Sequence, residues 1–234
     1  MRLPHLALIL LPAFFVPLSH GSDPPPARKP KDALQPFNLL IGSWRGTGQP
    51  EGTLREKQKG FWTETLVWQW QFKGEDAWLK LTVDKGKYFT SGELRYLPAK
   101  DAYELSLETV GKEKVTYNGT LKEKLLTLDQ VEDSKKSSKR LVINLLRDNR
   151  FLYSVEEKRE GKADFARLYQ VGATKEGVPF ASGDAKPVCI VSGGLGTIQV
   201  TYKGKTYYVC CTGCRDEFKE DPEKYVKEYE AKKK

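Results

Sequence analysis

The stretch Thr201-Tyr-Lys-Gly-Lys-Thr-Tyr-Tyr-Val-Cys210-Cys-Thr-Gly-Cys214 decides the fold of the C-terminal part of the chain. It contains three of the four cysteines, and the remaining one, Cys189, is separated from Cys210 by 20 residues. A tight Thr212-Gly213 turn lets two thiolates reach one tetrahedral ion at about 2.3 Å, and soft sulfur ligands select Zn²⁺ or Cu(I) over hard cations. The spacing therefore predicts a small unit built around a sulfur-ligated metal.

This stretch and the sequence after it resemble the TRASH/YHS family of small treble-clef-like metal-binding modules. The resemblance covers residues 186–231 and extends to Asp221-Pro-Glu-Lys-Tyr225, where Asp221 is expected to cap a helix that begins at Pro222. An apolar stripe is expected to cover the cysteines. Its residues are Phe218, Tyr225, Val226 and Tyr229. The resemblance implies a small α+β module over residues 186–234.

The resemblance also implies a set of metal ligands, namely Cys189, Cys210 and Cys214. Cys211 is a fourth candidate ligand, but two consecutive residues of an extended strand point to opposite faces. If Cys211 points away, the fourth coordination position is open, or is filled by water, an acidic side chain or a partner.

Disulfide bonds are the alternative role for the four cysteines. An even number of cysteines in an exported chain is typical of a disulfide framework, and three pairings are open. Adjacent Cys210 and Cys211 do not easily bridge each other, although each can pair elsewhere. The specific spacing favours a metal, and we expect reversible oxidation of the metal-free form. A unit of this size buries too little apolar surface to be stable alone, so we expect either a metal or disulfide bonds to stabilise it.

Residues 1–21 are typical of a signal peptide. Met1-Arg2 forms a short positive region, and the apolar run from Leu6 to Pro17 is too short to span a bilayer comfortably. Small residues then predict cleavage before Ser22, with an uncleaved membrane anchor as the alternative. We therefore expect an exported protein, periplasmic or secreted, without stable membrane insertion. Cleavage removes both histidines of the chain, which excludes histidine ligands and histidine bases from the mature protein.

The middle of the chain, residues 36–173, alternates apolar and polar residues in ten short runs separated by turn signals. Aromatic residues make up 11% and hydrophobic residues 39% of the chain, which is enough for a core of β type. Ten short strands with almost no helix signal predict an antiparallel barrel, because closure removes exposed strand edges. The Pro-rich residues 22–35 are predicted to be a linker before the barrel, and residues 174–185 a linker after it.

The opening of this middle part, Phe37-Asn-Leu-Leu-Ile-Gly42-Ser-Trp44, resembles that of calycins, the lipocalin Gly-x-Trp motif and the nitrobindin-like barrels. The resemblance implies that Trp44 plugs one end of the barrel while a small apolar ligand enters at the other. Core packing is the ordinary alternative role for all five tryptophans. Haem is not expected, because an axial histidine is lacking and nothing singles out Tyr153 or Tyr169 as a substitute.

The remaining residues form no catalytic constellation, so we predict no enzyme, no catalytic residue and no cofactor-binding residue. Isolated carboxylates on the predicted strands are expected to face solvent. They are Glu64, Glu93, Glu104 and Asp164. The stretch Gly193-Gly194-Leu195-Gly196 is expected to form a tight turn after Cys189. The net charge of +8 is interleaved with acidic residues, which favours a solvated surface over a nucleic-acid interface.

Two functional classes follow from these patterns. In the first, an exported protein binds Zn²⁺ or Cu(I) through its cysteines and acts in metal sensing, trafficking or buffering, while the barrel carries a small apolar ligand or a partner. In the second, zinc or disulfides are purely structural and the protein is a ligand-binding or interaction barrel. A slowly exchanging four-sulfur site indicates the second class, and an exchangeable three-sulfur site indicates the first.

Overall fold

The computed structural model describes residues 28–131, 137–147, 149–177 and 187–232. The predicted signal peptide, residues 1–21, lies outside the described residues. So do residues 22–27 of the first predicted linker and most of the second linker. Their assignments stay predictions.

Ten antiparallel strands form a closed barrel, in which consecutive strands pair and β1 closes the barrel by pairing with β10. The predicted mainly-β class and the antiparallel barrel are therefore confirmed. The strands are β1 (Gly42–Pro50), β2 (Trp62–Lys73), β3 (Asp76–Asp84), β4 (Phe89–Leu97), β5 (Ala102–Thr109), β6 (Lys114–Lys122), β7 (Leu125–Gln130), β8 (Ser137–Arg147), β9 (Arg150–Arg159) and β10 (Ala166–Lys175). Helix α2 (Leu54–Gly60) connects β1 to β2.

The chain before β1 closes one end of the barrel. Helix α1, Pro30–Ala33, leads into a 3₁₀ helix, Gln35–Leu40, in which the side chain of Phe37 is fully buried. The indole Nε1 of Trp44 donates a hydrogen bond of 2.6 Å to the backbone carbonyl of Leu40, the last residue of the 3₁₀ helix. Trp44 therefore lies at the closed end, where the barrel resemblance placed it. The lipocalin or nitrobindin assignment itself stays a prediction.

The structure differs from the linker prediction over residues 28–35. Ala33 and Leu34 are fully buried, and Arg28 forms an ion pair with Asp101 at an N–O distance of 2.6 Å. Pro30 occupies the first turn of α1, where its fixed φ favours a helix start. The apolar residues that follow this proline therefore attach the segment to the end of the barrel.

Side chains fill the interior of the barrel. Trp44, Trp68 and Trp70 are among its largest fully buried side chains. A cavity of about 30 Å³ remains among leucine, valine, isoleucine and aromatic side chains. Sites for small organic ligands usually have volumes of roughly 300 Å³ or more. This internal cavity is smaller than that, and the small apolar ligand that the barrel resemblance implied stays a prediction.

The position of Glu64 differs from the sequence prediction that this side chain faces solvent. It is 3% exposed, and its carboxylate accepts a hydrogen bond of 2.6 Å from the Tyr153 hydroxyl and one of 2.9 Å from the Trp62 indole. The period-two alternation of β2 places Glu64 on the same face as Leu66 and Trp68, which are both buried. A buried carboxylate persists when its oxygens are hydrogen-bonded. The prediction that Glu64 faces solvent is therefore wrong.

A small hairpin and two helices follow the barrel. The elements are β11 (Ile198–Tyr202), β12 (Lys205–Val209), α3 (Thr212–Glu220) and α4 (Pro222–Ala231). The carboxylate of Asp221 accepts a hydrogen bond of 3.1 Å from the backbone N–H of Lys224, as the predicted cap requires. We call this part, residues 187–232, the cysteine unit. Within the described ranges, every helix is too short or too polar to cross a lipid bilayer.

The cysteine unit packs against the edge of β2 near the closed end of the barrel. Strand β1 begins at Gly42, opposite Trp68, so residues 69–73 of β2 extend beyond it. Helix α3 packs against β2 in this region. In addition, the ammonium of Lys31 lies 4.8 Å from the ring centroid of Tyr225 in α4. The two parts of the chain therefore share an interface.

We predict that a chain ending at Gly177 folds as a barrel, because it retains all ten strands and the pair that closes them. Its unfolding, followed by circular dichroism, should be cooperative. Its Tm should be lower than that of the full chain, because the end of β2 loses the cover of α3. Non-cooperative unfolding of the shortened chain would contradict the prediction and show that the barrel requires the cysteine unit.

Candidate metal centre

Each cysteine is positioned by a different piece of local structure. Cys189 lies in a short extended segment that pairs with Tyr208 in a parallel bridge. Cys210 directly follows β12, Cys211 occupies the N-cap position of α3, and Cys214 lies in the first turn of that helix. The hairpin and the helix start thus bring together residues that the sequence separates.

The sulfur atoms of Cys189, Cys210 and Cys214 all lie within 4.8 Å of one another. The Sγ atoms of Cys210 and Cys214 are 3.4 Å apart. Two thiolates that share a tetrahedral zinc at about 2.3 Å lie about 3.8 Å from each other. The three side chains are buried, at 1%, 7% and 0% exposure respectively. The three sulfurs are therefore close enough to hold one soft metal ion, for which Cys210 and Cys214 would separate by a few tenths of an ångström.

All four cysteines are described by the structure, and each is a free thiol. The sequence alternative of two disulfides is therefore not the arrangement that the structure shows. The close approach of Cys210 and Cys214 keeps them within reach of oxidation in a metal-free form.

Cys211 differs from the other three cysteines in what its sulfur contacts. Its Sγ lies 3.9 Å from that of Cys210 and accepts a hydrogen bond of 3.4 Å from the backbone N–H of Trp70 in β2. Cys211 is therefore directed toward the barrel, outside the group of three sulfurs. The two sulfurs lie closer together than opposite faces of a strand would place them, because β12 ends at Val209 and Cys211 stands at the start of α3. Whether Cys211 is a ligand stays a prediction.

Ser192 holds the loop around Cys189. Its backbone N–H donates to Cys189 Sγ at 3.4 Å, and its hydroxyl lies 3.4 Å from Cys210 Sγ. Gly193 adopts a φ of +77°, which favours glycine, and its N–H donates to the carbonyl of Cys189 at 2.9 Å. The predicted tight turn after Cys189 is confirmed. Ser192 itself carried no sequence signal, because isolated serines are common in turns.

The thiols influence the acidity of one another. Hydrogen bonds with Cys210 and then Cys214 lower the pKa of Cys189 far below its usual range, and the same two partners lower the pKa of Cys211. Burial is the main cause of the raised pKa of Cys214, whereas hydrogen bonding with Cys189 and Cys211 raises the pKa of Cys210.

Aromatic side chains cover the cluster on the side of the helices. Phe218 and Tyr225 are buried, at 3% and 2% exposure, and Val226 and Tyr229 pack partly buried against them. The predicted apolar stripe therefore lies where the sequence placed it. The ring centroid of Phe218 is 6.2 Å from that of Tyr207 in β12, which joins the helix to the hairpin.

The contact between α3 and the barrel depends on Gly213. A Cβ added at Gly213 would lie 1.7 Å from the backbone carbonyl oxygen of Trp70, so the two backbones touch directly. Beside this contact, the side-chain amide of Gln69 donates to the Thr212 hydroxyl at 3.1 Å. The Thr212-Gly213 pair was predicted to turn the chain between two ligands. The structure adds that this pair is also the point of docking on β2.

Comparison with known families gives one result for this part of the chain. Residues 196–229 match the family of the YHS domain. The match includes Cys210, Cys211 and Cys214, whereas Cys189 precedes it, and it covers the cysteine unit rather than the barrel. The chain thus carries a YHS domain at its C-terminus. No curated protein matches the chain.

We predict that Gly213→Ala destabilises the protein by about 1–3 kcal/mol, because the added methyl group forces α3 away from the Trp70 carbonyl. Chemical denaturation followed by tryptophan fluorescence measures the loss. Gly111→Ala serves as the control, since a Cβ there meets only the Thr109 hydroxyl at 3.6 Å. Equal stability of the two variants would mean that the α3 contact with β2 does not exist in solution.

Proposed function

We propose that this is an exported protein that binds Zn²⁺ or Cu(I) at Cys189, Cys210 and Cys214 and acts in metal sensing, trafficking or buffering. The main observation in support is the group of three buried sulfurs within 4.8 Å of one another. Thiolate ligands favour soft ions over oxygen-preferring ones such as Mg²⁺ and Ca²⁺. The match of residues 196–229 to the YHS domain supports the same assignment.

The number of sulfur donors favours metal handling over a purely structural role. A structural zinc site usually has four protein ligands and a closed coordination sphere. Here the fourth thiol, Cys211, accepts the backbone N–H of Trp70 and lies outside the group of three. A three-sulfur site keeps one coordination position for an exchanging ligand, which a protein that takes up and releases metal requires.

A structural metal is the second candidate function, and burial favours it. Cys189 and Cys214 are 1% and 0% exposed, so a bound ion would be shielded from competing ligands in solution. Slow exchange of the ion would then indicate that it holds the cysteine unit together. In both cases the barrel acts as the scaffold on which the unit is mounted, and we propose no catalytic activity.

We predict that the protein, purified under reducing conditions, binds about one equivalent of Zn²⁺ or Cu(I). Elemental analysis gives the stoichiometry, and the rate of transfer to a coloured chelator separates the two candidate functions. Transfer within minutes indicates metal handling, whereas transfer over many hours indicates a structural ion. A folded protein without metal and with four titratable thiols would overturn both.

We predict that the four cysteines are not equivalent in metal binding. Replacing Cys189, Cys210 or Cys214 with Ser should remove about a third of a binding free energy of roughly 12 kcal/mol. This loss of about 4 kcal/mol corresponds to an affinity about 1,000-fold lower. Cys211→Ser should change the affinity by less than about tenfold, because a serine oxygen also accepts the Trp70 N–H and the three other sulfurs remain.

Metal retention and Tm of the four single variants test this order. Equal loss of metal at all four positions would contradict the three-ligand site and indicate that Cys211 is a ligand. Equal loss of stability without any bound metal would instead indicate two disulfides, because each substitution would then leave one thiol without its partner.

A further inference from the structure

Ser192 contacts two of the three candidate ligands. Its backbone N–H donates to Cys189 Sγ and its hydroxyl contacts Cys210 Sγ, both at 3.4 Å, and Ser192 is only 1% exposed. The position of Ser192 therefore determines how both sulfurs are oriented. Hydrogen bonds of this kind adjust the geometry and the charge of metal ligands without touching the metal.

Ser192 is in turn held by a residue of the barrel. The side-chain Nδ2 of Asn38 donates a hydrogen bond of 2.9 Å to the backbone carbonyl of Ser192. Asn38 belongs to the 3₁₀ helix that closes the barrel, and it packs closely on the loop. A Cβ added at Gly194 would lie 3.0 Å from both Cγ and Oδ1 of Asn38. The loop that carries Cys189 is thus seated on the barrel.

Trp70 fixes the orientation of the Asn38 amide. Its indole Nε1 donates to Asn38 Oδ1 at 2.9 Å, so the Nδ2 group faces Ser192. The backbone N–H of the same tryptophan donates to Cys211 Sγ at 3.4 Å. Trp70 is fully buried. Trp70 therefore contacts the start of α3 directly and the loop before the hairpin through Asn38.

We infer that Asn38 and Trp70 are positioning residues of the metal centre, so that the barrel sets the metal affinity of the cysteine unit. This inference rests on the proposed metal site. The hydrogen bonds run without interruption from the Trp70 indole through Asn38 and Ser192 to the sulfurs of Cys189 and Cys210. Binding and docking are reciprocal, because any contact that strengthens metal binding is itself strengthened by the metal.

The test compares Asn38→Ala and Trp70→Phe in the full chain. Asn38→Ala removes two hydrogen bonds of the network and Trp70→Phe removes one, and both variants leave every cysteine in place. Loss of an outer hydrogen bond typically weakens metal binding by 10- to 100-fold, and we expect about tenfold for each variant. Zinc affinity is measured by competition with a chelator. The rise in Tm on adding zinc should be smaller in both variants than in the wild type, because the coupling is lost.

Two control variants separate positioning from general damage to the barrel. Asn118→Ala removes an amide from β6, where the Oδ1 of Asn118 is buried without a hydrogen-bond partner. Trp62→Phe removes an indole donor that bonds Glu64, away from the cysteine unit. We expect Trp62→Phe to lower the Tm of the metal-free protein, and we expect both controls to keep the zinc affinity of the wild type.

The outcomes separate this inference from the proposed function. Wild-type zinc affinity in both Asn38→Ala and Trp70→Phe, with a folded barrel, would overturn the positioning role alone. Equal weakening in Trp62→Phe would also overturn it, since barrel stability rather than this network would then govern affinity. Failure of the wild-type protein to bind any zinc or Cu(I) would overturn the proposed function and the positioning role together. If Asn38→Ala does not fold, Trp70→Phe decides the question.

Discussion

The direct contact between Gly213 and the carbonyl of Trp70 is the constraint on which the rest of the arrangement depends. Strand β2 extends past the start of β1, so its backbone there needs partners from elsewhere in the chain. The cysteine unit supplies them, since the sulfur of Cys211 accepts the N–H of Trp70. A side chain at position 213 would separate the two backbones. Docking of α3 on β2 therefore depends on this backbone contact, and Asn38 seats the ligand loop beside it.

The sequence predicted the barrel because alternation and turn signals are local. The same alternation placed Glu64 inside, but its charge led to the opposite expectation. The charge is accommodated because Tyr153 and Trp62 donate to it, and these donors are recognisable only once the barrel closes. Residues 28–35 were predicted to belong to a linker because of their composition. Composition reflects only how a free chain interacts with water. The burial of this segment depends on the barrel end that Ala33 and Leu34 cover.

The cysteines of the centre were predictable, because thiols at a characteristic spacing are a chemical signal in themselves. The residues that orient them were not. Asn38 and Ser192 are 154 positions apart, and Trp70 and Cys211 are 141 positions apart. Only the folded chain brings these pairs together. One signal was present: Asn38 is the single polar residue in the run Phe37-Asn-Leu-Leu-Ile41. A polar side chain in an apolar run requires a hydrogen-bond partner once it is packed.

Docking on the barrel also bears on what a metal does for the cysteine unit. A free unit of this size buries too little apolar surface to be stable without a metal or disulfide bonds. Here α3 packs on β2. The ammonium of Lys31 lies over the ring of Tyr225 in α4 and 3.9 Å from the carboxylate of Glu228 in the same helix. The barrel thus provides part of the stabilisation that a metal would supply alone in an isolated module. If the cluster binds metal as proposed, these contacts would support the ligand geometry after the ion leaves. Reversible loading requires that property, whereas a purely structural zinc site does not.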